Sequence, residues 1–367
     1  MSIAKDYHIE MLSVGAADAF ILYVIDNQDK GHLILIDAGN YNDGDKIIKH
    51  IRKYYSNPVI DLAIVTHCDD DHYGGFVRML EKLKKGERDA IGIGQFWVND
   101  PGKNHIYVDD VKYINNQPVV NNRARKVYDC NGLNLLELID YLEIDRMEKF
   151  AISIKDANGN LTKPVPDRVF NFLYIIGPTK AYYEELIPKF RDDIKYKESD
   201  NMYNESADSP TDESLSPTLD AADDDSSAHN QSSMIILFQP HENKKYLFMG
   251  DAGRDAFNHI PMLHKFLIEN IQWLKVPHHG SKHNLDTMMI KWIKPQVAYI
   301  SANSNDEYAN RCTINALKRS KCDVYSTHRD HSNFIHNKLE NEKDIQQQHP
   351  YRYERQKDWI SSLRRWV

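Results

Sequence analysis

Residues 62–75 read LAIVTHCDDDHYGG, an apolar run followed directly by a dense group of His and Asp residues. Its apolar first half predicts a buried strand. Its second half places four metal-binding side chains within six positions, namely His67, Asp69, Asp71 and His72. In an extended or turning chain, His67 and Asp69 point one way, whereas the adjacent pair Asp71 and His72 cannot share that direction. The stretch therefore predicts a centre for two neighbouring metal ions at the end of a strand.

The types of these ligands narrow the choice of ion. Mixed imidazole and carboxylate ligands suit zinc, manganese or iron rather than calcium. The plain alternative is a solvated acidic loop that carries two surface histidines. We favour the metal centre because so dense a set of ligands directly follows a strand of buried aliphatic residues.

The first third of the chain alternates strand-like and helix-like patterns. Short runs rich in Ile, Leu, Val and Tyr predict strands over residues 7–14, 19–25 and 32–36. Helical periodicity is present over residues 43–55 and again over residues 76–84. The ligand cluster therefore lies in a strand-to-helix loop, where open sheets usually place their chemistry.

The second half of the chain repeats this rhythm. Predicted strands cover residues 234–238, 245–249, 271–276, 297–301 and 323–326, and predicted helices cover residues 255–267 and 313–319. The stretch 99–131 shows no clear period. The repeated pattern indicates an α/β fold in which two related halves sandwich their sheets between helices.

Two later segments add candidate ligands. Asp251 follows a predicted strand and Gly250, so its carboxylate lies where it could bridge two ions. An isolated aspartate at such a position serves as a helix cap about as often. His278 and His279 directly follow the predicted strand over residues 271–276. A lone histidine there would usually be structural, but two in succession favour at least one ligand.

Composition limits the function classes. The formal net charge of -8 argues against a surface that binds nucleic acid through charge alone. The 4 cysteines show no CxxC spacing, which favours reduced thiols over a disulfide framework. The charged N-terminus and the lack of any apolar run near about 20 residues predict a soluble, cytoplasmic protein without a membrane partner.

Two segments differ in composition from the rest of the chain. Residues 191–233 are rich in Asp, Glu, Ser and Asn, which predicts a disordered insertion. Alternatively, this acidic segment covers a basic groove or binds a protein partner. The tail over residues 331–367 mixes arginine with tyrosine and tryptophan, so it could contact nucleic acid or dock on its own domain or another protein.

Taken together, these residues resemble the metallo-β-lactamase superfamily and, within it, the ComEC-like branch. Further agreements are Asp18 after Gly15, the sequence IDAG at residues 36–39 and the sequence LKVPHHGS at residues 274–281. Most members carry His-x-His-x-Asp-His; this chain has Asp69 at the second histidine, as ComEC-like proteins do. The resemblance implies an αββα four-layer sandwich with two mixed sheets between helices, formed by residues 1–330.

The resemblance also implies a ligand set. His67 and Asp69 would bind the first ion, Asp71 and His72 the second, and Asp251 would bridge the two. These assignments correspond to two divalent ions, zinc or manganese.

The remaining roles follow from the same resemblance. We expect His278 to complete the second site and Asp37 to orient a ligand. We expect His279 to face the substrate and to be catalytic together with Asp71. The superfamily's third histidine has no obvious counterpart, and His105 is the only early candidate.

Substrate contacts are expected around this centre. Ser301, Asn303 and Asn310 correspond to polar positions on the substrate side in relatives, and Lys282 could neutralise a phosphate oxygen. Protonation of the leaving group could come from His279, His328 or His331.

The resemblance implies a metal-activated hydroxide that attacks a phosphodiester, as in a phosphodiesterase or nuclease, with nucleic acid or another phosphodiester as the partner. A small phosphoester, cyclic nucleotide or lactone is the alternative substrate. A non-catalytic scaffold that binds a protein through the acidic insertion or the tail is the alternative of another class.

Overall fold

A computed structural model describes residues 3–103, 124–156, 158–159, 161–200, 219–302 and 309–327, together with three short strand segments at 113–114, 117–118 and 334–336. His105, Asn303, His328 and His331 lie outside the described residues, as does almost all of the tail. Within the part of the chain that is described, no helix is both long enough and apolar enough to cross a membrane.

Two sheets form the centre of the structure. The first has the order β12-β7-β5-β3-β2-β1-β21, and the second has the order β15-β16-β17-β18-β19-β20. The strands are β1 Ala4–Met11, β2 Ala19–Asp26, β3 Gly31–Ala38, β4 Val59–Ile60, β5 Leu62–Ile64, β6 Gly92–Ile93, β7 Gln95–Trp97, β8 Tyr113–Ile114, β9 Gln117–Pro118, β10 Asp129–Cys130, β11 Leu133–Asn134, β12 Asp145–Met147, β13 Ser153–Lys155, β14 Leu161–Pro164, β15 Leu173–Gly177, β16 Ile235–His241, β17 Lys244–Phe248, β18 Trp273–Lys275, β19 Val297–Ile300, β20 Asp323–Ser326 and β21 Phe334–His336.

Aromatic side chains fill the space between the two sheets. The ring of Phe20 on β2 lies 5.3 Å from that of Phe248 on β17 and 5.8 Å from that of Trp273 on β18, both edge-on. The rings of Tyr7 on β1 and Phe238 on β16 meet at 5.4 Å. Large aromatic side chains bury much apolar area, so this layer holds the two halves together.

Helices cover the outer faces of both sheets. They are α1 Asp43–Tyr54, α2 Asp70–Lys85, α3 Leu135–Tyr141, α4 Lys180–Asp200, α5 Ala228–Gln231, α6 Arg254–Asn258, α7 Met262–Leu267, α8 Thr287–Ile293 and α9 Arg311–Arg319, with 3-10 turns at Ala124–Tyr128 and His278–Gly280. Ile47 of α1 and Phe76 of α2 pack with Leu35 of β3, and Ile293 of α8 packs with Leu274 of β18 in the same apolar cluster. The predicted αββα four-layer sandwich is confirmed.

Two helix predictions were wrong in their limits. Helix α2 begins at Asp70 rather than at residue 76, so half of the ligand cluster lies in its first turn. The predicted helix over residues 255–267 is two helices, α6 and α7, because Pro261 lacks the amide hydrogen that a continuous helix requires.

The acidic segment is also more structured than its composition predicted. Residues 191–200 continue α4, and residues 219–233 pack against the second half of the molecule. The Arg254 guanidinium donates to the carbonyl oxygens of Leu219 at 2.7 Å and Ala222 at 2.9 Å, and to Asp224 at 2.7 Å. Leu219 and Ala228 are buried. This segment is ordered with few apolar residues, because the guanidinium of Arg254 satisfies several of its backbone carbonyl oxygens.

Helix α2 approaches β3 so closely that only glycine fits at one position. A Cβ atom on Gly75 would lie 2.0 Å from the carbonyl oxygen of Ala38, which is backbone and cannot rotate away. Gly75 therefore fixes the height of the first turn of α2 above the end of β3.

We predict that Gly75→Ala lowers the free energy of unfolding by about 1–3 kcal/mol, the usual cost of overpacking. Urea denaturation followed by circular dichroism measures this change. Gly92→Ala is the matched control, because a Cβ there would meet only Val59 side-chain atoms at 3.6 Å. Equal stability of the two variants would contradict the prediction.

Candidate metal centre

The candidate ligands converge from the strand ends of both sheets. In the first sheet, Asp37 lies at the end of β3 and His67 follows β5. In the second sheet, Asp251 follows β17 and His279 follows β18. Because β3 and β5 are parallel, as are β17 and β18, their carboxyl ends lie side by side.

One group of ligands surrounds Asp251. His67, His72 and Asp251 each offer a ligand atom, and these atoms all lie within 4.8 Å of one another. His72 Nε2 is 3.3 Å from Asp251 Oδ1, and His67 Nε2 is 3.9 Å from Asp251 Oδ2. Asp69 adds an oxygen 3.5 Å from His67 Nε2. Asp251 therefore lies among these ligand atoms, and its predicted bridging of two ions stays a prediction.

A second group lies beside the first and shares His72. Asp71, His72 and His279 place ligand atoms within 4.8 Å of one another. His279 Nε2 lies 3.0 Å from Asp71 Oδ2 and 4.0 Å from Asp251 Oδ2. The structure thus brings His279, rather than His278, into a ligand group.

The neighbouring His278 points elsewhere. Its Nδ1 lies 3.0 Å from Asn284 Oδ1 and 3.4 Å from Asp225 Oδ2, whereas its Nε2 is 3.9 Å from Asp251 Oδ2. Both His278 and His279 have left-handed backbone angles, with φ of 46° and 49°. Such strain costs on the order of 1–3 kcal/mol per residue and makes consecutive imidazoles diverge. The contacts favour the reverse of the predicted roles, because the direction of each ring depends on this local backbone.

Asp37 orients two of the candidate ligands, in agreement with its predicted supporting role. Its Oδ2 accepts a hydrogen bond from His72 Nδ1 at 2.9 Å and another from the Thr66 hydroxyl at 2.8 Å. Because the Thr66 hydroxyl has one proton and donates it to Asp37, its oxygen accepts from His67 Nδ1 at 3.1 Å. Both rings therefore hold a proton on Nδ1 and direct Nε2 toward the centre.

Sequence reasoning missed His229, which the structure brings to the centre. His229 is buried in α5, and its Nδ1 lies 3.0 Å from Asp69 Oδ1. Cys68, Asp69 and His229 form a further group of potential ligand atoms. The available signal was a histidine just before strand β16, but it lay within the segment predicted to be disordered.

Two polar residues expected on the substrate side have other roles. Ser301 is 1% exposed and lies behind His279, with its hydroxyl oxygen 2.9 Å from His279 Nδ1. Asn310 caps α9, and its side-chain oxygen accepts from the Cys312 amide at 2.9 Å. Lys282 is described, but its predicted contact with a phosphate oxygen stays a prediction.

Carboxylates dominate the electrostatics of the centre. Burial by itself lowers the pKa of His72, but Asp251, Asp71 and Asp37 raise it well above its ordinary value. Burial by itself raises the pKa of Asp251, but His72 and Lys275 hold it well below its ordinary value. Burial also lowers the pKa of His229, yet Cys68 and Asp69 raise it to about 10. The centre therefore attracts positive charge, either protons or metal ions.

The available donor atoms fit divalent metal ions. The Nε2 atoms of His67, His72 and His229 are buried and have no hydrogen-bond partner within the described part of the chain. Buried polar atoms are nearly always paired, so three such nitrogens beside carboxylates are ready to be ligands. Nitrogen and oxygen donors together suit zinc or manganese.

We predict that zinc or manganese stabilises the folded protein, by about 2.7 kcal/mol at an ion concentration about 100 times the dissociation constant. Asp251→Asn should reduce this gain at the same ion concentration, because the carboxylate shared by the ligand groups is lost. Urea denaturation with and without the ion measures both gains. Glu10→Gln is the control, since Glu10 is 2% exposed and contacts His50 rather than the centre; an unchanged gain in Asp251→Asn would contradict the prediction.

Comparison with known proteins agrees with this site. The family model of the metallo-beta-lactamase superfamily matches residues 22–112. The matched region includes Asp37 and the cluster from His67 to His72, and ends before Asp251 and His279. No curated protein matches the chain. The match does not resolve the ComEC-like branch, but together with the confirmed sandwich it indicates the chemistry of that superfamily, metal-dependent hydrolysis.

Proposed function

We propose that this protein is a metal-dependent phosphodiesterase, with a nucleic acid as its substrate. The observation that carries the proposal is the cluster of carboxylates and imidazoles around Asp251, with buried Nε2 atoms that have no other described partner. Two-metal centres of this donor type serve phosphatases and nucleases, whose anionic substrates need strong positive charge.

Each ion has a proposed ligand set. His67, Asp69 and His229 would hold the first ion, Asp71, His72 and His279 would hold the second, and Asp251 would be shared by the two sets. His229 supplies the third histidine that the sequence alone did not reveal. When bound, divalent ions lower the pKa of a coordinated water and stabilise negative charge on the attacked group.

The exposure of the side chains around the centre indicates the side from which a substrate would enter. The side chains of Asp69, Asp71 and His278 are 22%, 30% and 27% exposed, whereas those of His67 and His279 are at most 1% exposed. The substrate therefore approaches on the side of Asp69, Asp71 and His278.

His278 is placed to contact the substrate on this open side. Asp225 and Asn284 hold its Nδ1, so its ring stays beside Asp251 without entering a ligand group. Burial lowers the pKa of His278, but Asp251 and Asp225 raise it to about 9. A protonated imidazole here donates to a phosphate oxygen or to the leaving oxygen.

The excess of carboxylates supports an anionic, ion-bound substrate over a lactone. A carboxylate-lined entrance repels a free phosphodiester unless metal ions neutralise it, so binding and catalysis should depend on the same ions. The protein partner predicted for the acidic insertion over residues 191–233 or for the tail stays a prediction, because residues 201–218 and nearly all of the tail lie outside the described residues.

The direct test is hydrolysis of bis(4-nitrophenyl) phosphate, single- and double-stranded DNA, and RNA, with manganese, zinc or a chelator. We expect cleavage that a chelator abolishes and added metal restores. Cleavage of lactones or small phosphomonoesters alone would favour the second substrate class. No turnover of any substrate by metal-loaded protein would support the non-catalytic scaffold.

The two adjacent histidines should respond differently to substitution. His278→Gln should lower kcat by about 10²–10⁴-fold with unchanged metal content, because only a substrate contact is lost. His279→Gln should lower metal content as well. Steady-state kinetics and metal analysis of the same samples distinguish the roles, and metal loss in His278→Gln instead would restore the assignment made from sequence.

His229→Ala should release about one ion per protein chain and abolish activity, because the first ion loses its third ligand. His264→Ala is the matched control: His264 is 1% exposed and its Nε2 contacts the carbonyl oxygen of Ile152 instead of the centre. Full metal content in His229→Ala would limit His229 to orienting Asp69.

A further inference from the structure

A buried ion pair lies behind the centre, opposite its open side. Lys275 and Asp18 are each 1% exposed or less, and the Lys275 ammonium forms an ion pair with Asp18 Oδ2. The ammonium also donates to the Gly250 carbonyl at 2.7 Å and lies 3.3 Å from Asp251 Oδ1. A buried lysine keeps its charge only when paired, so this contact fixes the orientation of the Asp18 carboxylate.

The other oxygen of Asp18 contacts Ser301. The Ser301 hydroxyl donates to Asp18 Oδ1, and its oxygen lies 2.9 Å from His279 Nδ1. Because the only hydroxyl proton is directed to Asp18, the oxygen must accept from His279, which places a proton on His279 Nδ1. His279 Nε2 lies within hydrogen-bonding distance of Asp71 Oδ2, at 3.0 Å, and a metal ion held by both residues would replace this contact.

This chain of contacts repeats the one on the opposite sheet. There His67 Nδ1, the Thr66 hydroxyl and Asp37 follow one another in the same order. Each series runs from an imidazole through a hydroxyl to a buried carboxylate, and each directs Nε2 toward the centre. The difference is Lys275, which contacts Asp18.

We propose that Asp18, oriented by Lys275, is a positioning residue that acts through Ser301 to keep the proton of His279 on Nδ1 and so presents Nε2 to the second ion. This inference rests on the proposed metal centre. It assigns a function to Asp18, Ser301 and Lys275, which lie outside the two proposed ligand sets. Partners of this kind typically contribute about 10–100-fold to metal affinity.

The decisive variant is Asp18→Asn. The ammonium of Lys275 attracts the amide oxygen, so the amide NH₂ must face Ser301. The amide would then donate to the hydroxyl, and the hydroxyl would donate to His279 Nδ1. The proton of His279 moves to Nε2, the atom that the ion needs, while the shape of the site stays nearly the same.

Two measurements test this expectation. Nitrogen-15 NMR of the histidine rings, with and without zinc, should show a proton on His279 Nδ1 in the wild-type protein and its loss in Asp18→Asn. Titration calorimetry should show that Asp18→Asn binds one of the two zinc ions about 10–100-fold more weakly than the wild-type protein does. Asp167→Asn is the control. Asp167 also forms an ion pair with a lysine, with 2.5 Å between its Oδ2 and Lys149 Nζ, but this pair contacts none of the ligand histidines.

A second substitution makes the proposal sharper. In Asp18→Asn combined with Lys275→Met, the amide is free to turn its oxygen toward Ser301, so the Nδ1 proton and part of the zinc affinity should return. If Asp18→Asn does not fold, Ser301→Ala is the alternative variant, because it removes only the hydroxyl. The NMR signal of the His279 Nδ1 proton and the affinity for zinc should both weaken in this variant.

The outcomes separate this inference from the proposed function. A wild-type His279 without a proton on Nδ1 would overturn the inference, as would an unchanged proton position in Asp18→Asn. Wild-type protein that binds no divalent ion would instead refute the proposed function, because the ring protons are still observed without zinc.

Discussion

The structure depends on the burial of several carboxylates at the junction of two sheets. Asp18, Asp37 and Asp251 are all at most 2% exposed, and buried carboxylates are costly unless cations or hydrogen-bond donors compensate them. Within the described part of the chain, the nearby cations are Lys275 and imidazoles whose protonation depends on the same carboxylates. Divalent ions bound at the proposed centre would supply the missing positive charge, and folding and metal binding would then share one electrostatic requirement.

The sandwich makes this concentration of charge tolerable. Parallel strands end at the same edge, and the edges of the two sheets face each other, so ligands distant in sequence meet without long side chains. Aromatic rings between the sheets, such as Phe20 against Trp273, stabilise the arrangement by apolar burial. Glycine permits the closest approach, as where Gly75 meets the Ala38 carbonyl. The core thus holds the centre in place, and the centre itself contributes little apolar burial.

The supporting residues matter as much as the ligands. Imidazoles bind metal through one nitrogen only when the other is held in a defined protonation state. Asp37 provides this through direct contact with His72 and through the Thr66 hydroxyl. Segment 219–233 has a comparable role from outside the sheets, because it carries His229 to Asp69 and Asp225 to His278. Arg254 anchors that segment by its hydrogen bonds to backbone carbonyls.

The sequence by itself determined the layered α/β architecture and the segments that carry ligands. Apolar runs ending in His, Asp and Gly are local patterns, so His67 to His72, Asp251 and the His278–His279 pair could be found without coordinates. Tertiary structure decided which ring of that pair enters a ligand group, because this depends on two left-handed backbone angles. It also brought His229 to Asp69 and His279 to Asp71. The two residues of the first contact are separated by 160 positions in the sequence, and those of the second by 208. Contacts at that separation arise from sheet packing, which leaves no periodic trace in the sequence around either residue.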